Sequence, residues 1–262
     1  MPDLFNDTIR AMRAWRVWMF LGVQDVKTRF RRSALGPIWI VLNMAFFVVG
    51  AGLLYGVMIK QPMKILLPYL VCGFTIWGSI MASLTESGWA FVGAEGYIKQ
   101  FCYPKQIYLM RNFIYNFVIL FVTLCALIPV QLFFGTFYIT GWLLSIPGFL
   151  LLAIAILGHI TISAYLSVRF RDLPHAAGGI LQVAFFVTPV MFPISMLKER
   201  RFDWIYQFNP FYYLLEVVRY PLLQGKVPGL EVYMGTGIYI VFLWVMAYLI
   251  ARSLDSRVVL LL

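Results

Sequence analysis

The chain has 262 residues, of which 62% are hydrophobic, 18% aromatic and 12% charged, with a formal net charge of +10. Its mean hydropathy is +0.84, and a soluble globule needs roughly 25% charged residues to cover itself. That composition excludes a water-soluble fold and predicts an all-α integral membrane protein. The positive charge lies at the ends of apolar runs, which fits lipid headgroups and topology rather than nucleic acid.

Residues 8–32 read as an amphipathic interface helix. Met12, Trp15, Met19, Val23, Val26 and Phe30 follow spacings of three and four, flanked by Arg13, Arg16, Lys27 and Arg31. The pattern is untidy, because Val17, Trp18 and Leu21 fall outside the stripe. No removable signal peptide is expected, since Arg16 interrupts the early apolar run. The stretch Gln24 to Asn43, QDVKTRFRRSALGPIWIVLN, then passes from a basic cluster through Gly36-Pro37 into uncharged sequence. Six spans are predicted, at about 36–59, 65–85, 112–134, 142–168, 176–197 and 235–251. Pro189 and Pro193 should kink or interrupt the fifth.

Charge sets the orientation. With both termini cytoplasmic, inner segments hold fourteen basic residues and outer segments seven, five of the seven in the long loop before the last span. The outer set is Lys60, Lys64, Lys198, Arg200, Arg201, Arg219 and Lys226. The short loops carry the rule's weight, and they agree. Residues 198–234 form the outer segment. Asn209-Pro210 begins a helix there that Pro221 is expected to stop, too short to cross and too apolar for water, hence re-entrant or surface-lying. Glu216 and Arg219 can pair on one face of it.

Little in the chain suggests catalysis. Cys72 and Cys125 lie in apolar runs and Cys102 in a loop, with no disulfide framework or metal-ligand spacing. His159 stands in a span without an acidic neighbour in sequence, and His175 in a turn. No nucleophile elbow, H-E-x-x-H or phosphate-cradling G-x-x-x-x-G-K-[ST] occurs. The chain is therefore expected to be no enzyme and to hold no metal or cofactor. ATP and Mg, if used, belong to another polypeptide. What remains suits a conduit with a docking face. The inner segments 93–110 and 169–178 are short and charged. Aromatic residues are dense on the outer side: Tyr55, Tyr69, Phe192, Trp204, Tyr206, Phe208, Phe211, Tyr212 and Tyr213. An interfacial belt accounts for any one of them, while their faces also suit sugar rings.

These strings resemble a known family. QDVKTRFRRSALGPIWIVLN is similar to the start of the first span in ABC-2 type polysaccharide export permeases, with Asp25, Lys27, Arg29, Phe30, Arg31, Ser33, Leu35, Gly36, Pro37 and Trp39 on the shared pattern. YIKQFCYP, RFRDLPH and NPFYYLLEVVRYPLLQG resemble the family's segments after span two, after span four and before the last span. Tyr97-Ile98 stands where the family often has Leu-Ile. The similarity leans toward the O-antigen permease (Wzm-like) branch.

The resemblance implies a homodimer of six-span subunits in the bacterial plasma (inner) membrane, with re-entrant gate helices before the last span. It implies two copies of a separate ABC ATPase and an undecaprenyl-diphosphate-linked glycan as cargo. By that similarity Glu95, Tyr97, Lys99, Arg169, Arg171, Asp172 and His175 couple to the ATPase. On physical grounds Arg29, Arg31, Arg32 and Lys99 are expected at a cytoplasmic mouth that attracts the diphosphate, a role that their topological duty explains equally well. Tyr55, Tyr69, Phe192, Tyr206, Phe208, Phe211, Tyr212 and Tyr213 line the channel or outer gate, with Glu216 and Arg219 as a gate pair. Teichoic acid, capsule or a small molecule such as a drug or haem are alternative cargoes. A membrane-embedded glycosyl- or acyltransferase is more remote.

Overall fold

The computed structural model describes residues 4–59, 61–100, 103–194 and 203–262. Lys60, Cys102, Lys198, Arg200 and Arg201 lie outside them, as does the stretch 195–202. Among the described residues the fold is helical throughout, without strands.

The N-terminal segment forms two helices, α1 (Leu4–Arg13) and α2 (Trp15–Arg29), divided at Ala14. Met12, Trp15, Met19 and Val23 stay exposed, the face an interfacial helix turns to lipid. Gly22 and Val26 are buried instead, and α2 lies along the third span there. A Cβ on Gly22 would stand 2.8 Å from the Arg111 carbonyl, so only glycine permits that approach.

Among the described residues, five helical segments are long and apolar enough to cross a membrane: Ile38–Met58, Met63–Trp89, Gln106–Phe133, Ile139–Arg169 and Leu230–Leu261. They are built from α3 (Ile38–Ile59), α4 (Met63–Thr85), α6 (Gln106–Leu124) with α7 (Leu127–Phe133), α8 (Ile139–Leu144) with α9 (Ile146–Arg169), and α13 (Leu230–Leu254) with α14 (Val258–Leu261). Between α4 and α6 lies α5 (Glu95–Gln100). Prolines account for two of the internal breaks. Pro129 and Pro147 each lack the amide that would bond the fourth residue back, and the helices divide at 125–126 and at Ser145.

The expected fifth span is represented by α10 (Leu173–Val187), which is shorter than a crossing helix. It ends where Thr188 turns extended before Pro189, as a residue preceding proline must. Beyond the undescribed stretch come α11 (Asp203–Gln207) and α12 (Pro210–Gln224). Pro221 does not stop α12, contrary to the expectation from sequence. The helix runs on to Gly225, which takes the left-handed conformation at φ 63° and caps it through its amide to the Pro221 carbonyl at 2.9 Å. The proline is tolerated because the packing absorbs its cost. Val217, four residues earlier, loses its amide partner, and its carbonyl faces Gly148, where a Cβ would approach to 2.2 Å. Gly141 meets the Pro221 carbonyl in the same way, at 2.4 Å for a hypothetical Cβ. Two glycines therefore let the α8–α9 line press backbone to backbone on α12, the close packing that small residues give membrane helices.

The centre of the bundle is α4 and α9, with α12 wedged against both and against α13. Leu70, Ile76, Ile80, Ile156, Ile160, Ala164, Leu214 and Val218 are wholly buried there. By contrast α3 is only 11% buried over its apolar window, against 61% for the second span, and so lies at the periphery.

Candidate functional site

The inner-segment charges predicted from sequence gather at one end of the bundle. Arg111 donates to Asp25 through Nε and Nη2 at 2.5 and 2.6 Å, fixing α2 to the start of α6 as a two-pronged pair. Lys105 Nζ lies 2.9 Å from the Asp255 carboxylate, and the Tyr165 hydroxyl donates to the other Asp255 oxygen at 2.7 Å. Asp255 thus ties the end of α13 to the starts or ends of two other spans. Neither contact was visible in the sequence, because the partners lie far apart along the chain.

Two charged segments meet at this same end. Lys99 Nζ is 2.7 Å from Glu95 within α5, one helical turn apart. A hydrogen bond from Lys99 and its charge hold the Glu95 carboxyl below its ordinary range, and Arg171 adds to that from the segment after α9. The rings of Trp89 and His175 lie 6.0 Å apart in edge-on contact, and Gly88 packs on Pro174. Arg169, Arg171, Asp172 and His175 are all exposed, as are Tyr97 and Lys99. Half-buried Glu95 of α5 and exposed Arg171 beyond α9 therefore lie near one another on a charged face.

The residues expected at the mouth are divided. Arg29 is engaged: its guanidinium donates to the Tyr115 hydroxyl and lies 3.7 Å from Glu86. Arg31 and Arg32 are exposed, without an ion pair among the described residues, and Arg32 has a φ of 70°. Arg29, Glu86 and Tyr115 frame a cavity of about 210 Å³ between α3, α4 and α6. Deeper in it, Ser79 donates to the Asn116 side chain, whose amide donates back to the Ser79 carbonyl at 3.1 Å.

At the opposite end a buried charged cluster fastens α12. Arg219 is 1% exposed; its Nε and Nη2 donate to Glu216 and its Nη1 donates to the Pro189 carbonyl at 2.8 Å. Its guanidinium carbon stands 3.9 Å from the centroid of the Tyr69 ring. The Tyr69 hydroxyl donates to the carbonyls of Pro189 and Phe192, both at 2.9 Å. Asn209 accepts from the Phe211 amide at 3.0 Å as a helix cap, and its own amide donates to Thr188 at 2.8 Å. The broken end of α10 thus has its freed carbonyls satisfied by Tyr69 and Arg219, which is what lets irregular backbone persist inside a membrane bundle.

The other aromatic residues are mostly occupied within the subunit. Phe211 lies against Trp77, His159 and Tyr239 at 5.6 to 6.4 Å. Tyr206 and Tyr212 are buried and in edge contact at 5.1 Å, and Tyr213 joins them at 5.1 Å. Tyr55 and Phe192 are half-buried on the core. Phe208, at 84% exposed, and Trp204, at 60%, are the ones that present open ring faces. His159 bridges three helices, with Nε2 2.6 Å from the Tyr239 hydroxyl and Nδ1 3.3 Å from Ser83. Among the described residues no group of three His, Cys, Asp or Glu side chains could hold a metal.

The geometry thus places an exposed charged face at one end of the bundle and a helix braced by a buried ion pair at the other. A profile of the ABC-2 type transporter family matches residues 16–223.

The chain belongs to the ABC-2 type transporter family.

It is a multi-pass membrane protein of transporter type. Relatives of this ABC-2 chain include an O-antigen export system permease protein RfbA of Klebsiella pneumoniae, 26% identical over 71% of this chain and 72% of the relative. A second from the same organism is 25% identical over the same shares. A protein of the same name from Myxococcus xanthus is 23% identical over 90% of this chain and 92% of its own length. The family match covers both the charged segments at 95–99 and 169–175 and the Tyr69–Arg219 cluster, so all of them belong to the part of the chain shared with the family.

Proposed function

We propose that this chain is the membrane subunit of an ATP-driven exporter that moves an undecaprenyl-diphosphate-linked polysaccharide, O-antigen in the first instance, to the outer side of the bacterial plasma membrane. The observation that carries the reading is that three similar proteins all bear the name of O-antigen export permeases. In this reading both termini are cytoplasmic and the charged end faces the cytoplasm. Two copies enclose the path, and the thinly buried α3 and the exposed Ile180, Val183 and Phe186 of α10 supply the apolar surface for a second copy or lipid.

Two copies of an ABC ATPase dock on the surface built from Glu95, Tyr97, Lys99, Arg169, Arg171, Asp172 and His175. The proximity of Glu95 and Arg171 supports this, because a partner pressing on one segment also displaces the other. Arg31, Arg32, Arg29 and Lys99 attract the diphosphate, the first two being the unpaired ones. The Tyr69–Arg219–Glu216 cluster holds α12 as a rigid gate element, and Phe208 and Trp204 offer ring faces to the glycan. ATP and Mg stay with the partner.

The deciding measurement is ATPase activity of the chain co-purified with its ATP-binding partner, with and without undecaprenyl-linked glycan. Stimulation by the glycan lipid, absent with undecaprenyl phosphate alone, is the expected result. A stable complex without that response would reassign the cargo, and no complex would remove the coupling surface. For the mouth, Arg32→Gln and Lys99→Gln should lower export at normal membrane levels, and unchanged export ends the diphosphate role.

A further inference from the structure

A second cavity, of about 120 Å³, lies under α1, enclosed by α1, α6, α9 and α13. Gln106, the first residue of α6, lines it and is 5% exposed, yet neither its Oε1 nor its Nε2 has a hydrogen-bond partner among the described residues. A buried carboxamide left unpaired costs about 1–3 kcal/mol, so such groups are rare without an occupant. The polar neighbours are already committed. Thr8 and Thr161 donate to carbonyls of their own helices at 2.8 Å, Tyr165 donates to Asp255, and Trp244 Nε1 donates to Ile154 at 3.2 Å. Nothing in the lining answers Gln106.

The remaining wall is apolar, formed by Leu4, Leu109, Leu157, Ala247 and Ala251. It runs along α13 from Ala251 to Trp244, about 10 Å at the helical rise. At its side lies Tyr248, 53% exposed, so the cavity meets the lipid-facing surface. Its polar end is at the first residue of a crossing helix, beside the Lys105–Asp255 ion pair, which is headgroup depth.

We propose that this cavity is a binding site for a glycerophospholipid of the surrounding bilayer. The ester carbonyl accepts from Gln106 Nε2, and one acyl chain lies against Leu109, Leu157, Ala247 and Ala251, bracing α1 on the spans. The chemistry selects an ester lipid: at that depth its carbonyl is an acceptor, whereas a bare hydrocarbon or isoprenoid tail leaves the carboxamide unpaired.

The test is native mass spectrometry of the full chain released from vesicles of phosphatidylethanolamine and phosphatidylglycerol. One retained phospholipid per chain is expected. On the wild-type protein, a diether analogue without the ester carbonyl should compete about fivefold less well, the worth of one hydrogen bond. Gln106→Leu should abolish that preference, and Ala247→Phe, which fills the cavity, should remove the bound lipid. Equal competition by ester and ether lipids on the wild type overturns the proposal, as does retention of an isoprenoid lipid instead. A wild-type chain that holds no lipid overturns it too, leaving Gln106 to ordered water.

Discussion

Lys105 and Asp255 meet at 2.9 Å although 150 residues separate them, and both side chains are nearly enclosed, 12% and 11% exposed. Lys105 immediately precedes α6, while Asp255 follows α13 and also accepts from Tyr165 of α9. One carboxylate therefore joins three spans at the charged end. Removing a single partner strands a charge, so Lys105→Met or Asp255→Asn should each cost about 3–5 kcal/mol. Thermal unfolding of the purified chain checks this, and the two losses should be strongly non-additive in the double variant.

The Glu216–Arg219 pair should show unequal partners. Glu216→Gln leaves Arg219 over the Tyr69 ring and on the Pro189 carbonyl, whereas Arg219→Met leaves a buried carboxylate with nothing to answer it. The arginine variant should lose about 3–5 kcal/mol and the glutamate variant roughly half of that. Equal melting temperatures for the two would show that the contacts to Tyr69 and Pro189 contribute little.

Tyr69→Phe isolates the hydroxyl from the ring. It removes two hydrogen bonds to carbonyls at the broken end of α10 while keeping the ring under Arg219. A loss of about 1–3 kcal/mol is expected, with faster hydrogen exchange in residues 188–194 and little change at the charged end.

Gly148 and Gly50 make a matched comparison. A Cβ on Gly148 would collide with the Val217 backbone at 2.2 Å, while Gly50 faces open space. Gly148→Ala should therefore destabilise by about 1–3 kcal/mol through overpacking. Gly50→Ala should be neutral or mildly stabilising in the same melting assay.

Acid should loosen the Glu95–Lys99 pair. Lys99 and then Arg171 hold the Glu95 carboxyl low, so the interaction is fully present above the ordinary carboxylate range. It is lost as pH falls through the lowered value, beneath the ordinary carboxylate range. Exchange protection of residues 95–100 should fall in that window and be weakened by salt. Glu95→Gln should abolish the pH dependence, and a variant that kept it would trace it to another group.

The membrane class, the helical fold and the strings that carry the family resemblance were written in local sequence. Uncharged runs of crossing length, the basic cluster before Gly36-Pro37 and the Asn209-Pro210 cap are signals that a stretch of a few residues carries by itself. Pro189 likewise announced the break after α10, because proline acts on its immediate backbone. Pro221 gave the wrong signal for the same reason. Its local penalty was offset by contacts with Gly141 and Gly148, which no pattern within α12 reveals. Nor does composition show which outer aromatic residues pack inward: Tyr206 and Tyr212 are buried, whereas Phe208 stays exposed.

Sequence by itself determined what must avoid water and where the backbone can bend, since both follow from the chemistry of neighbouring residues. Only the tertiary structure decided which charges are neutralised and which stay available. Asp25 with Arg111, Lys105 with Asp255, and Arg219 with the Pro189 carbonyl are pairings across helices. Their energies come from desolvation and geometry that exist only once the bundle has closed. The same closure buried the Gln106 carboxamide under α1 with no partner among the described residues, which the chain read in one dimension does not reveal.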